Sequence, residues 1–259
     1  MKTYILLFLI ALTSFQCQAQ NSWNNKKCAV VLTYDDAISI DLDNVVPALD
    51  SFNLKGTFYL IGSSATVANR IPEWRAVAKN GHELGNHSLF HPCDGSLPGR
   101  SFVTKDHDLS TYTVTRAVDE IKSNNIILSA IDGKTKRTFA YPCGDLTIGG
   151  NFFYENLKKD FVAARGVFPG LQQAKEVNLD NINTYLINGQ YGTYMINLVK
   201  EALKTNTLLV FLFHGVGGGH SLNVSLAAHH QLLSFLKAHE KEIWVAPMVE
   251  VAEFIRTKQ

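Results

Sequence analysis

The chain has 259 residues, 46% of them hydrophobic, and a formal net charge of +1. That length and apolar content suit one sizeable core in a single barrel-sized domain. The near-neutral balance excludes the basic patch of a nucleic-acid binder and any acidic tail, whereas a neutral partner such as a glycan needs neither.

Lys2 precedes an apolar run from Tyr4 to Phe15, and Cys17, Gln18 and Ala19 follow it. This is the pattern of a cleaved signal peptide. Residues 1–19 are expected to be removed and residues 20–259 to form one domain. The run is shorter than the roughly 20 residues that span a bilayer, and no later segment is long and apolar enough. The mature chain is therefore expected to be secreted or periplasmic, with no membrane partner. Three cysteines remain, Cys28, Cys93 and Cys143. The odd count leaves at least one thiol free or paired elsewhere. No C-x-x-C pair supports a cysteine zinc site.

Cys28 to Tyr34 is apolar and rich in β-branched residues, so it reads as a buried strand. Asp41 to Phe52 has Leu42, Val45, Val46 and Leu49 on one helical face. Gly56 to Ile61 is a second strand. Pro72 to Lys79 is a short helix with Pro in its first turn. His82 to Asn86 is a short third strand, and Pro92 to Asp108 is a loop. Thr113 to Ser129 reads as helix, Thr138 to Tyr141 as strand, Asn151 to Lys159 as helix and Phe161 to Arg165 as strand. Lys175 to Ile187 is one more strand with irregular flanks. Thr193 to Lys204 is a helix, and Leu208 to Phe213 is the clearest buried strand. Ser225 to His239, Ile243 to Ala246 and Met248 to Arg256 close the chain as helix, strand and helix. Such alternation predicts an α/β fold with a largely parallel sheet, in barrel or open form. Its chemistry should gather at the carboxyl ends of the strands.

Three strand ends carry reactive residues. The first strand runs into Asp35 and Asp36. On an extended strand neighbours point to opposite faces, so one carboxylate could face a metal and the other a reacting group. Asp36 could equally serve as a helix cap or turn residue. His87 and His91 lie four apart, on one face if the segment is a helical turn. Two histidines and a carboxylate, with one open position, recur as a catalytic zinc site. The H-E-x-x-H glutamate is absent, which leaves Asp35 as the natural base. The strand from Leu208 delivers His214, whose imidazole suits a general acid. The glycines at 217, 218 and 219 do not form a phosphate loop of the G-x-x-x-x-G-K-[ST] type.

These residues match a known pattern. Thr33-Tyr34-Asp35-Asp36-Ala37 resembles the T-F-D-D-G motif of NodB-type polysaccharide deacetylases, carbohydrate esterase family 4. His87 to His91 is similar to that family's H-[ST]-x-x-H. Phe139-Ala140-Tyr141-Pro142-Cys143-Gly144 resembles its third motif, Phe211 to His214 its L-x-x-H, and Trp244 to Ile255 its last strand and helix. The resemblance covers Cys28 to about Thr257. It implies a distorted (β/α) barrel of about seven parallel strands. It implies hydrolysis of N- or O-linked acetyl groups from a glycan, with Zn2+ (or Co2+ or Ni2+) held by Asp36, His87 and His91. Asp35 would be the base and His214 the acid. The backbone N–H of Cys143 would stabilise the oxyanion, and Tyr141 would lie at the substrate. Ser88 would buttress the histidine loop or cap a helix.

The departures are equally specific. The third-motif arginine that orients the catalytic aspartate falls at Ala140, with Tyr141 or Arg137 as candidate replacements. No D-x-x-D-W is present to steady His214, and Asp180 is the nearest candidate. Cys93 and Cys143 each follow a proline beside a site loop, which allows a disulfide across the site, with inert buried thiols as the alternative. The competing reading is a metal-containing carbohydrate-binding protein that has lost catalysis.

Overall fold

A computed structural model of the protein describes residues 23–259, so the signal-peptide reading of residues 1–19 lies outside the described part. The strands are β1 (Cys28–Asp35), β2 (Thr57–Leu60), β3 (Glu83–Asn86) and β4 (Phe139–Ala140), then a small antiparallel pair, β5 (Thr147–Ile148) and β6 (Asn151–Phe152). There follow β7 (Ala164–Arg165), β8 (Tyr185–Leu186), β9 (Leu208–Phe213), a short parallel pair β10 (Gly215–Val216) and β11 (Asn223–Val224), and β12 (Ile243–Val245). The helices are α1 (Val46–Ser51), α2 (Ala65–Asn69), α3 (Ile71–Lys79), α4 (Val114–Asp132), α5 (Gly192–Thr205), α6 (Leu226–Ala238) and α7 (Met248–Arg256). Among the described residues no helix is long and apolar enough to cross a membrane.

The main sheet is parallel throughout, in the order β7-β4-β3-β2-β1-β9-β8, with β12 added beside the first half of β1. Past the named strands, Arg165 and Ile182 form a bridge, and Ile182 N–H donates to the Ala164 carbonyl at 2.9 Å. Those contacts draw the two sheet edges together, so the fold is a distorted (β/α) barrel of the NodB type.

Every residue of β1 and β9 is buried, as expected of strands covered on both faces. Alternation then sorts their side chains. Val30, Leu32, Tyr34, Leu209, Phe211 and Phe213 pack outward with Met195, Val199, Leu232 and Leu233 of α5 and α6. Ala29, Val31 and Val210 pack on the other face with Ile182 and Val251. Thr33 and Asp35 share that second, interior face by the two-residue period of a strand.

At the amino ends of the strands the barrel is closed by a buried carboxylate. Glu83 accepts from Thr57 Oγ1 at 2.9 Å, Val249 N–H at 2.8 Å, and both Thr138 N–H and Oγ1 at 2.7 Å. It therefore caps the first turn of α7, where Pro247 offers no side-chain cap, and its charge suits the helix N-terminus.

Several expected elements differ. Asn151 to Lys159 is not an α-helix: β6 is followed by a 3-10 turn over Phe153–Asn156. Its Phe153, Tyr154 and Leu157 are buried around Phe139 and Tyr141, so tertiary packing overrides the helical spacing. The segment from Asp41 begins as a π turn over Asp41–Val45 before α1, whose first turn holds a proline without an N–H to give. Only Tyr185–Leu186 of the span from Lys175 pairs as strand.

Candidate metal centre

Asp35, Asp36, His87, His91, Tyr141, Cys143 and His214 line one cleft of about 650 Å³ at the carboxyl ends of the strands. All the site residues named from sequence are thus brought together. How they get there differs from expectation in two places.

The two aspartates do not divide between opposite faces. Asp35 ends β1 on the interior face, and the chain then turns through Asp36 (φ 79°) and Ala37 (φ 53°). This turn swings Asp36 back into the cleft. His87 Nε2 is consequently 3.5 Å from Asp36 Oδ1 and 3.7 Å from Asp35 Oδ2.

His87 and His91 converge without a helical turn. Ser88 (φ 62°) and His91 (φ 54°) adopt left-handed backbone in the loop after β3. Ser88 Oγ accepts from His91 N–H at 2.8 Å, which makes Ser88 the buttress of the loop. Asn86 and Asn124 hold it from below. Asn86 Oδ1 accepts from Ser88 N–H at 2.7 Å and from Asn124 Nδ2 at 3.1 Å, and Asn124 also donates to the Ser88 carbonyl at 2.9 Å.

The donor set fits a divalent ion. One ligand atom each from Asp36, His87 and His91 lies within 4.8 Å of the others. His87 Nδ1 lies 2.9 Å from the Ala140 carbonyl, so that nitrogen carries the proton and Nε2 offers a lone pair to the cleft. Asp36 Oδ1 is buried, has no hydrogen-bond partner, and faces both histidines, with His91 Nε2 at 3.6 Å. Burial depresses the His87 pKa to about 3 and that of His91 below its usual value, so both are neutral imidazoles at pH 7, the form that can bind a metal. Burial raises the Asp36 carboxyl, against the pull of His214, and a cation beside it would favour the ionised form.

Asp35 is held differently. Burial works to raise its pKa, but the adjacent Arg165 charge, with His87, His214 and a hydrogen bond from Arg165, brings it below the usual carboxylate value. Arg165 Nη2 donates to Asp35 Oδ2 at 2.5 Å, with both side chains buried. Asp35 Oδ1 is buried and unpartnered.

Arg165 was not among the candidates. Arg137 is committed elsewhere, to Asp132 and the Leu84 carbonyl, and Tyr141 donates its hydroxyl to the Asp180 carbonyl. Neither approaches Asp35 as a substitute. Arg165 does so because β4 and β7 pair with Ala140 directly opposite Arg165. The cation has moved one strand along the same rung. The sequence signal was present in a positive charge at the end of a predicted strand, Phe161 to Arg165.

Asp180 does not steady His214. Its carboxylate binds Lys158 at 2.8 Å, and His214 Nδ1 is buried without any partner. Burial lowers the His214 pKa, opposed by Asp35 and Asp36. Tyr141 is 1% exposed among Phe139, Phe153 and Tyr154, so its ring serves as a wall of the cleft. Cys143 (φ 56°) forms a disulfide with Cys93, across a sequence separation of 50 residues, while Cys28 is free and buried. The bridge ties the loop carrying His91 to the turn after β4.

Residues 23–151 match the family model described as polysaccharide deacetylase. The chain is 30% identical over 103 residues to the uncharacterized protein YlxY of Bacillus subtilis, covering 40% of this chain and 27% of that protein. It is 23% identical over 212 residues to chitin deacetylase 1 of Cryptococcus neoformans, covering 78% and 38%. This chain therefore spans well under half the length of those curated relatives. Among solved structures it resembles the polysaccharide deacetylase Bc1974 from Bacillus cereus (TM-score 0.52, 21% identity, 85% and 91% of the two chains covered). It also resembles a BA3943 mutant described as a CE4 family pseudoenzyme (TM-score 0.54, 16% identity, 88% and 68% covered). At these identities the structural likeness establishes the fold.

Proposed function

The chain belongs to the polysaccharide deacetylase family, and from that premise we propose that it is a metal-dependent hydrolase removing acetyl groups from a glycan. The observation that carries this reading is the pairing of Asp35 with Arg165 beside the Asp36, His87 and His91 cluster. A binding protein needs a metal site but has no use for a second carboxylate kept ionised by a buried arginine.

A zinc ion held by Asp36, His87 and His91 would acidify water and polarise the acyl carbonyl. Asp35 then takes the proton of the attacking water on Oδ1, the oxygen that Arg165 leaves free. His214 gives a proton from Nε2 to the departing nitrogen or oxygen of the sugar. The turn at Cys143 offers a backbone N–H toward the carbonyl oxygen as charge builds there. Tyr141 and Leu212 form an apolar wall that limits water around the acyl group.

Export, either to the periplasm or beyond the cell, is part of this reading. The Cys93–Cys143 bridge suits an oxidising compartment.

A second reading, a carbohydrate-binding protein without turnover, is favoured by one observation: His214 Nδ1 has no partner to orient the ring. Acetate release from N-acetylated and O-acetylated oligosaccharides, with and without added zinc, separates the two. Zinc-dependent release that disappears in Asp35→Ala supports the hydrolase. Zinc binding with no release from any substrate supports the binding protein.

A further inference from the structure

His214 lacks a carboxylate at Nδ1, yet its ring is not loose. The His220 ring lies parallel to it, with centroids 4.8 Å apart and planes at 16°. His220 sits between β10 and β11, directly after Gly217, Gly218 and Gly219, whose φ angles are 76°, 130° and 82°. Only glycine takes this path readily. Gly218 N–H donates to Asn223 Oδ1 at 2.8 Å. A Cβ on Gly219 would lie 3.1 Å from the Ile40 side chain, so glycine lets the loop pack closely there.

The His220 ring is also fixed in its tautomer. Nδ1 accepts from Leu222 N–H at 3.0 Å, so in the neutral ring the proton resides on Nε2. That nitrogen is 3.7 Å from Asp36 Oδ2, and His214 Nε2 is 3.9 Å from the same oxygen. The two oxygens of Asp36 are thus divided. Oδ1 faces His87 and His91, and Oδ2 faces the stacked pair.

We propose that His220 is a positioning residue for the reaction centre: it holds the plane of His214 by stacking, in place of a hydrogen-bonding carboxylate. The two imidazoles present their Nε2 atoms to one point of the cleft. A carboxylate at Nδ1 fixes a histidine by direction and adds basicity. A stacked ring fixes the plane alone and leaves Nδ1 without an acceptor. The arrangement explains how His214 keeps its aim with Nδ1 orphaned.

The inference rests on the deacetylase reading, so its test has one arm that needs no turnover. His220→Ala, His220→Phe and wild type are compared on the acetylated oligosaccharide that wild type hydrolyses best, with zinc present. His220→Ala is expected to lower kcat about 30-fold, a fraction of what a positioned acid contributes. KM stays within about threefold, as expected when ground-state binding is untouched. His220→Phe, which keeps a stacking ring without its N–H, recovers most of that kcat. Zinc affinity by calorimetry stays within about threefold in both variants, because His220 is not a proposed ligand and its Nε2, 3.7 Å from Asp36 Oδ2, makes no hydrogen bond to one.

Unchanged kcat in His220→Ala, a loss carried by KM, or a His220→Phe variant as slow as His220→Ala would each overturn the proposal. The second arm is the imidazole nitrogen spectrum of the zinc-loaded, isotopically labelled protein. It should show His220 protonated at Nε2, and a His214 signal displaced by His220→Ala and returned by His220→Phe. A His214 signal indifferent to His220→Ala overturns the proposal even if no substrate is found. Absence of turnover in wild type, with the spectra as expected, overturns the deacetylase reading and leaves the positioning role standing.

Discussion

Arg165 reaches Asp35 across the interior of the barrel, from β7 to β1, which stand four places apart in the sheet order. The Arg165 guanidinium carbon also lies 5.0 Å from the centre of the Tyr59 ring, so the cation is gripped along its length. Removing it leaves a buried carboxylate uncompensated. Arg165→Met should destabilise the fold by about 3 kcal/mol. Turnover should fall by at least about a hundredfold, the order that a general base contributes. Because Ala140 is the register partner of Arg165, adding Ala140→Arg to Arg165→Met should restore part of both. Denaturant unfolding and acetate release on the two variants check this.

The proposed metal ligands and the proposed base should separate cleanly in mutagenesis. His91→Ala removes one of three ligand atoms and should weaken zinc binding by about a hundredfold or more. Asp35→Asn keeps all three ligands and nearly the same shape, so zinc affinity should change little while acetate release is lost. Calorimetry with zinc and an acetate assay on the same preparations give both answers. An active Asp35→Asn protein would remove Asp35 from the base role.

The Cys93–Cys143 bridge closes a loop with a separation of 50 residues. Constraining a loop of that length in the unfolded chain contributes about 4 kcal/mol in the entropic account. Reduction, or Cys93→Ser with Cys143→Ser, should lower stability by an amount of that order. It should also weaken zinc binding, since Cys93 lies two residues past His91. Urea unfolding with and without a dithiol reductant measures the first effect, and zinc titration the second.

Acid should destabilise the metal-free protein for a reason outside the site. His229 is buried against Tyr34, whose hydroxyl oxygen lies 2.8 Å from its Nε2. Burial, with a small push from His230, lowers the His229 pKa to about 4. An unfolded imidazole titrates near 6.5, so below that pH the unfolded chain binds the extra proton and the folded chain does not. Stability is therefore full above about pH 6.5 and declines as the pH falls toward about 4. From pH 7 to 5 this one group should account for a loss of about 2 kcal/mol. His229→Gln should show a correspondingly shallower pH dependence in urea unfolding, although its stability at pH 7 is lower.

The fold was legible because long apolar strands and amphipathic helices announce themselves. β1 and β9 were placed from the runs at Cys28 and Leu208 alone, and their ends delivered Asp35 and His214. The failures share a cause in contacts between distant segments. Asn151 to Lys159 carries helical spacing, but an aromatic cluster claims its side chains one by one. His87 and His91 were joined correctly through the wrong local geometry, since no spacing rule discloses the left-handed turns at Ser88 and His91. Arg165 was missed because a motif is read along one strand, whereas the sheet offers the neighbouring strand at the same height. Asp180 failed for the opposite reason: it is close in sequence logic, but Lys158 already holds it.

Nine non-glycine residues in the described chain have left-handed backbone. Four are asparagines, which tolerate it. The other five are Asp36, Ala37, Ser88, His91 and Cys143; Asp36, His91 and Cys143 line the cleft, and Ala37 and Ser88 are chain neighbours of residues that do. Asp and His tolerate it as well, but at Ala37, Ser88 and Cys143 it opposes the local preference by about 1 kcal/mol or more, and the surrounding structure must hold them there. The opposite end of the barrel is closed by Glu83, which accepts four hydrogen bonds, and none of these five residues lies there. The two ends should therefore respond differently to warming: the mouth relaxes first, and the proposed hydrolysis is expected to fail at temperatures where the strands are still paired.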